Sequence, residues 1–570
     1  MNKLLNLKKI IEILDSNQKK LFFLLFILFV ISAFIEALSI GIILPLIYVL
    51  VDQKSEMYNF ILNFYSIFIS DITHEYLLII SLIIVVFIYI IKALFYAFIT
   101  KLSLKITAQL NINLTNKLYN SYLNENYLFH LSENTSKLLR NILSEVHHFC
   151  NLIYLIIQMF SDILIVIFIT LMLLLVEPLI ISVVLATLFV ISFSYYKLIT
   201  KRIYNLGKIR QENDFYIIKY INESFSLIKE IIIYNLQKIF VDKHKFHYSN
   251  STFADAKHNF LAAMTRPLLE TVSIIIFVCL LVSIVLMDRN FSFEDYLPFI
   301  AFLSASTFKL LPAINNITSR LGHIKFILPS LDAVYENLNL MNNLNVKEIF
   351  DEKDITFNNV IKVKNLNYIY KDKNIKTLDN LNFEIKKYDF FAITGNSGVG
   401  KTTLLNILMG LLEPSNGQIN CDGSNIQNSI KKWQNMISFV PQNIVLYDGT
   451  IKENIILGIE YNKKKYDDVI EKSMLKDFID KLPKKENTLV GERGIKVSGG
   501  ERQRIAIARA LYREPKLIFL DEATNSLDSK TEDELIQSIL KLKNYMTFVI
   551  IAHNNKIKEI CNKKLELGNK

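Results

Sequence analysis

Apolar residues gather in the first half of the chain, in blocks too long for a soluble fold. Residues 21–51 are apolar except for a few small polar residues and one charge, Glu36. A membrane span needs about 20 such residues, whereas the core of a cleaved signal peptide has roughly 7–15. The block therefore reads as a retained first transmembrane helix, with residues 3–14 as an interfacial helix leading in. Residues 77–100, charged only at Lys92, form a second span. Residues 151–176 and 178–198 form a tight pair interrupted at Glu177-Pro178, where proline ends a helix. Residues 267–287 and 295–324 complete a set of six. Between the first two spans, Met57, Phe60, Ile61, Phe64, Ile67 and Phe68 recur at helical spacing. This predicts a short external helix with one apolar face.

Lys and Arg distribute unevenly between the connections. Segments 101–150 and 199–260 carry many, among them Lys201, Arg202, Lys208, Arg210, Lys238, Lys243 and Lys245, while the other connections carry few. By the positive-inside rule, both long connections and both termini lie in the cytoplasm. Their helical periodicity predicts that the spans continue well beyond the bilayer. Near residue 345 the pattern changes. Residues 341–358 read as a linker, and from 359 to 570 short β-rich stretches alternate with helical ones, as in an α/β domain. The predicted architecture is an all-α six-helix membrane domain over 1–340, followed by a soluble α/β domain.

Composition narrows the function classes. The chain has 570 residues, 51% hydrophobic and 21% charged, with a mean hydropathy of +0.30. Disorder is excluded, since it requires low hydrophobicity and high charge. The formal net charge of +10 fits an anionic membrane surface, or a Lys-, Asn- and Ile-heavy composition of the kind AT-rich genomes produce. Cys150, Cys279, Cys421 and Cys561 are scattered without a C-x-x-C pair, so neither a zinc site nor a disulfide framework is predicted.

The candidate chemistry lies in the second half. After the strand-like 390–394 comes Gly395-Asn396-Ser397-Gly398-Val399-Gly400-Lys401-Thr402, followed by Thr403. This is a phosphate-binding loop: backbone N–H groups turn inward around phosphates, Lys401 reaches the β/γ oxygens, and Thr402 offers a hydroxyl to Mg²⁺. A second apolar strand, 516–520, ends in Asp521-Glu522. Asp521 suits Mg²⁺ coordination, and Glu522 suits orienting or deprotonating an attacking water.

Val497-Ser498-Gly499-Gly500-Glu501-Arg502-Gln503 then resembles the signature of ABC transporters, with Val for the usual first Leu and Glu for the usual Gln. The resemblance implies further site residues in the family's order. Tyr370 stacks on adenine. Gln442 in Pro441-Gln442-Asn443 approaches both metal and water. Asp528 forms the D-loop, and His553 is the switch histidine, although Asn554-Asn555 follows it where Arg-Leu is usual. Ser498, Gly499, Gly500 and Glu501 close over ATP held by the phosphate loop of a second subunit. A homodimer binding two ATP with Mg²⁺ follows, with coupling helices near 123–131 and 227–236.

The membrane half resembles flippases of lipid-linked oligosaccharides, the PglK-like transporters of bacterial N-glycosylation. The likeness lies in residues 34–47, in Arg266-Pro267-Leu268-Leu269-Glu270, in Leu311-Pro312-Ala313 and in Ser330-Leu331-Asp332. It implies a polyprenyl-pyrophosphate oligosaccharide as substrate, moved across the inner membrane of a bacterium. Lys92, Arg266 and Lys309 lie within or at the end of predicted spans, where a cation is costly without a purpose. They are candidates for the anionic head, unless they snorkel or pair with Glu36, Asp162 or Glu270. An exporter of peptides or drugs, or an ATP-gated channel, would use the same parts.

Overall fold

The computed structural model describes residues 2–570 apart from 43–44, 48, 50–57, 60, 64–72, 177, 288–292, 343–353, 371–375, 492–493, 523–528, 544, 553–554 and 569–570. Two compact units emerge: residues 1–125 with 132–346, and residues 126–131 with 347–570. Most of the predicted 341–358 linker falls outside the described residues.

The first unit is helical. The six predicted spans fall on helices Ser16–Gly41, His74–Asn124, Val146–Val176, Pro178–Ser226, Thr265–Met287 and Phe293–Asn342. By length and composition alone, four stretches of the described residues qualify to cross a membrane: Ser16–Ile47, His74–Asn124, Thr135–Leu175 and Gln237–Cys279. The segments predicted as fourth and sixth spans lie on helices some of whose side chains are outside the description. Of the predicted external helix, Met57, Phe60, Phe64, Ile67 and Phe68 also lie outside it. Ile61 is described, and it packs in a small cluster with Val49, Tyr58 and Leu77.

Helix His74–Asn124 shows how one element serves two solvents. At 1.5 Å per residue its 51 residues run about 77 Å, far more than the roughly 30 Å hydrocarbon layer. From 78 to 98 none of its residues is buried, and Ile83, Val86, Phe87, Ile90 and Leu94 all face outward. Past Ile99 a single buried stripe appears, through Ser103, Ile106, Leu110, Leu114, Leu118 and Tyr122. That three-to-four spacing is what a helix needs to pack against neighbours in water. The predicted cytoplasmic extension is thus present as amphipathic helix. Short helices Tyr127–Ser132 and Ile228–Ile233 occupy the two turns where coupling helices were expected.

Polar contacts fix the extensions to one another. Tyr122 Oη donates to Asn337 Oδ1 (2.8 Å), and Asn141 Nδ2 donates back to Tyr122 Oη (3.1 Å). Buried Arg210 reaches Ser330 Oγ (3.2 Å) and lies over the ring of Phe326. At Gly207 a Cβ would collide with the Phe326 carbonyl, so only glycine permits this helix crossing.

The second unit is α/β. An antiparallel sheet in the order β2-β1-β4-β5 comprises β1 Val360–Ile369, β2 Lys376–Lys386, β4 Asn416–Cys421 and β5 Ser424–Asn425. A parallel sheet in the order β6-β7-β8-β3-β9 comprises β3 Phe390–Gly395, β6 Ile437–Val440, β7 Leu517–Asp521, β8 Thr547–Ile551 and β9 Lys563–Leu567. β7 and β8 are buried along their whole length, as continuous apolar runs in a parallel sheet should be.

Candidate nucleotide and substrate sites

In an open parallel sheet, ligands bind beyond the carboxyl ends of the strands. Here register brings the candidate residues to that edge. Ile393 of β3 pairs with Ile551 of β8, Asp521 of β7 also pairs with Ile551, and Leu520 pairs with Val440 of β6. The phosphate loop, Asp521-Glu522 and Gln442 therefore leave the sheet at one level. His553 and Asp528 lie outside the described residues.

The loop owes its shape to two glycines at least. Gly395 has φ +138°, and a Cβ there would strike the Leu567 carbonyl. Gly400 has φ +104°, and its Cβ would come within 2.9 Å of Leu378 Cδ2. A helix, Lys401–Leu408, follows directly and directs its N-terminal N–H groups into the loop. Lys401 is buried, and its Nζ donates to the carbonyls of Gly395 (2.9 Å) and Asn396 (3.0 Å). Asn396, Ser397, Gly398 and Thr402 are exposed. Thr403 is turned inward instead, its Oγ1 3.2 Å from Tyr370 Oη. Tyr370 is half-buried, edge-on to Tyr368.

At the end of β7, Glu522 has φ +48°, a left-handed conformation that non-glycine residues rarely adopt and that concentrates at functional sites. Its Oε2 accepts a 2.7 Å hydrogen bond from Gln442 Nε2. Two residues 80 apart in sequence thus meet at the sheet edge from which the phosphate loop also leaves. Thr402, Asp521 and Gln442 supply hydroxyl, carboxylate and amide oxygens, the hard donor set that Mg²⁺ prefers. Bound there, the ion would offset charge on phosphate oxygens.

Ser498 is the N-cap of helix Gly499–Tyr512. The backbone N–H of Glu501 donates to Ser498 Oγ, and Ser498 N–H donates to Glu501 Oε2 (2.7 Å). This capping box accepts Glu or Gln equally, which accounts for the Glu in this signature. Val497, the other departure, is buried in the apolar core, as a Leu would be. Gly499 faces open space. Among the described residues no hydrogen bond joins 395–403 to 498–501.

One supporting residue escaped the sequence reading. Arg509 donates to the Asn454 carbonyl (2.8 Å), to Asn454 Oδ1 (3.1 Å) and to the Val445 carbonyl (3.2 Å). It ties the segment after Gln442 to the signature helix. No sequence pattern separates it from Arg502 or Arg504 nearby.

In the membrane half, two of the three candidate cations converge. Lys92 Nζ lies 2.7 Å and Lys309 Nζ 3.3 Å from the same oxygen of Glu36, and Lys92 also reaches Ser39 Oγ (3.1 Å). Arg266 stands apart from this pair. It is exposed and bonds Glu270 one turn along its own helix (2.7 Å). Asp162, expected as a counter-charge for this set, pairs with Arg320. Arg266 and Glu270 line a cavity of about 460 Å³ whose other walls include Leu173, Phe277, Phe308 and Pro312.

Comparison with known proteins identifies the family. Residues 378–525 match the ABC transporter model, and residues 21–310, more than half of the chain, match the ABC transporter transmembrane region. A putative export ATP-binding/permease protein of Rickettsia bellii is 33% identical over 46% of this chain and 44% of its own length. A multidrug resistance ABC transporter ATP-binding and permease protein of Lactococcus lactis is 38% identical over 34% of this chain and 33% of its own. The matches thus span less than half the length of these curated relatives. A bacterial Atm1-family ABC exporter solved with ATP bound shares the fold, with a TM-score of 0.76 at 19% identity, covering 97% of this chain and 94% of that one. The chain belongs to the ABC transporter family.

Proposed function

We propose that this ABC transporter is an ATP-driven exporter acting as a homodimer in a bacterial cytoplasmic membrane, and that it flips a polyprenyl-pyrophosphate-linked oligosaccharide. The Gln442–Glu522 hydrogen bond beside the phosphate loop carries the hydrolytic part of this reading. A carboxylate held by an amide at the edge of a nucleotide loop can position water for in-line attack on a phosphoryl group. Tyr370, Asn396, Ser397, Gly398, Val399, Thr402 and Thr403 complete the nucleotide pocket, and the family resemblance adds Asp528 and His553 to the set. Mg²⁺ is the metal. The dimer is supported by Ser498–Glu501, whose exposed N-terminal turn meets no phosphate loop in its own chain.

For the substrate, the supporting feature is Lys92 with Lys309. Two lysines share one carboxylate, which leaves a net positive charge among the helices. Such a charge suits a pyrophosphate entering from water, with Arg266 a further cation at the cavity mouth. A second reading, export of drugs, peptides or other lipids, is favoured by the mostly apolar walls of the Arg266 cavity. ATP-dependent flipping of a labelled polyprenyl-pyrophosphate oligosaccharide in proteoliposomes separates the two. Replacing Lys92, Arg266 and Lys309 together with Gln should stop flipping while ATP hydrolysis persists. Flipping at the wild-type rate by that variant refutes the lipid-oligosaccharide reading and leaves the general exporter.

A further inference from the structure

A second cavity, of about 600 Å³, opens between helices Pro178–Ser226 and Gln237–Ala263. It is lined by Arg202, Asn205, Phe253, Lys257, Phe260 and Leu261, among others. Its level can be placed from the chain itself. The predicted fourth span ends at residue 198, so Arg202 sits one turn, about 6 Å, past the hydrocarbon edge. Tyr195 Oη donates to the Leu261 carbonyl (2.7 Å), which sets the antiparallel register and puts Leu261 and Phe260 beside that edge. The cavity therefore begins at the boundary, with Phe260 and Leu261 beside the edge, Arg202 and Lys257 next at the depth of the headgroups, and Leu206 and Phe253 about one turn farther out.

Its electrostatics are one-sided. Residues 197–211 include Lys197, Lys201, Arg202, Lys208 and Arg210 and no acid. Arg202 and Lys257 are exposed and make no ion pair among the described residues. Asp255, the nearest acid in sequence on the facing helix, makes no ion pair with Lys257 or Arg202 among the described residues and lies within the field of Arg210. Phe260 is 60% exposed, which is unfavourable in water but natural at a membrane interface. Two cations without an ion pair among the described residues, next to Phe260 and Leu261 at headgroup depth, complement an amphiphile with an anionic head.

We infer that this cavity binds an anionic phospholipid of the cytoplasmic leaflet, with Arg202 and Lys257 on the phosphate, Asn205 on the glycerol, and Phe260 and Leu261 along the first carbons of the acyl chain. The ligand is distinct from the transported substrate, because the site uses neither Lys92 nor Lys309. Bound lipid would hold the two extension helices at a fixed depth.

The test uses the full-length protein in phosphatidylcholine micelles, titrated with phosphatidylglycerol and read by native mass spectrometry. Each cation near an anionic surface contributes about 1 kcal/mol, so Arg202→Gln with Lys257→Gln should weaken phosphatidylglycerol retention about 30-fold. Lys238→Gln with Lys245→Gln, exposed cations farther along the same helix, should weaken it less than two-fold. Exchanging the charges as Arg202→Lys with Lys257→Arg should preserve most of the binding, which separates charge recognition from misfolding. Equal retention by the first double variant overturns the site. So does equal weakening by the control pair, which would mean diffuse attraction. Displacement of the lipid by glycerol phosphate at matching concentration would reassign the cavity to free anions and overturn the lipid assignment.

Discussion

Lys401 in the α/β unit and Lys92 in the helical unit are both lysines withdrawn from water, and their partners differ in kind. Lys401 donates to two carbonyls of its own loop, Gly395 and Asn396, and to no carboxylate. Its full charge remains, and arriving phosphate oxygens need only replace two neutral acceptors. Lys92 donates to Glu36, which Lys309 shares. That charge is half spent already, and an anion must compete with a carboxylate to use it. Lys401 is thus preorganised for strong anion binding, whereas an anion at Lys92 would bind more weakly; in the proposed flippase that weaker binding would let a cargo leave.

The comparison can be broken most forcefully at the hydrolytic end. Glu522→Gln keeps the loop and its lysine but removes the group that orients or deprotonates water. ATP turnover should fall on the order of 10²–10⁴-fold in a phosphate-release assay, with nucleotide affinity retained. Near-normal turnover would strip Glu522 of its role. Lys401→Ala comes next. Losing a charge-assisted hydrogen bond contributes about 1.5–3 kcal/mol, so nucleotide should bind about 10- to 100-fold more weakly in a titration with a fluorescent ATP analogue. The membrane cluster should respond differently. With Lys92→Gln or Lys309→Gln alone, Glu36 keeps one partner. With both, it is left uncompensated, and the stability loss should exceed the sum of the singles by about 1–3 kcal/mol in a double-mutant cycle read by thermal unfolding. Additive losses would mean that the lysines do not share the carboxylate. Smallest of all, Gln442→Ala should slow turnover about ten-fold, since it removes one neutral donor from Glu522 and leaves the base in place.

The two halves also differ in how far they could be read from sequence. The phosphate loop was legible because its glycines answer to local backbone geometry: Gly395 and Gly400 take φ +138° and +104°, where a side chain would be strained. The continuation of helix past the spans was legible from periodicity, and helices His74–Asn124 and Pro178–Ser226 are long enough to include it. Contacts between distant segments were not. Arg266 and Glu270, four apart on one helix, are a pair the sequence spacing offers, and Glu36 is a candidate partner for the membrane lysines, yet nothing in the pattern says that Glu36 takes two of them, nor that Asp162 finds Arg320. Each depends on helix rotation about its axis, which an apolar run facing lipid on most sides leaves undetermined. Arg509, clamped on Asn454, was hidden for the same reason: its partner is set by tertiary packing.

The central claim is a nucleotide site completed by a second copy of the chain, and a cross-link tests it most directly. Cys279 is exposed whereas Cys150, Cys421 and Cys561 are buried, so Cys279→Ser provides a quiet background. Into it go Ser397→Cys in the phosphate loop and Ser498→Cys at the signature, each in a separately tagged chain. With ATP and Glu522→Gln to hold the closed state, oxidation should join the two tags in one covalent dimer, and omitting nucleotide should abolish most of it. Cross-links formed only within one chain, or interchain cross-links indifferent to ATP, would contradict the composite site.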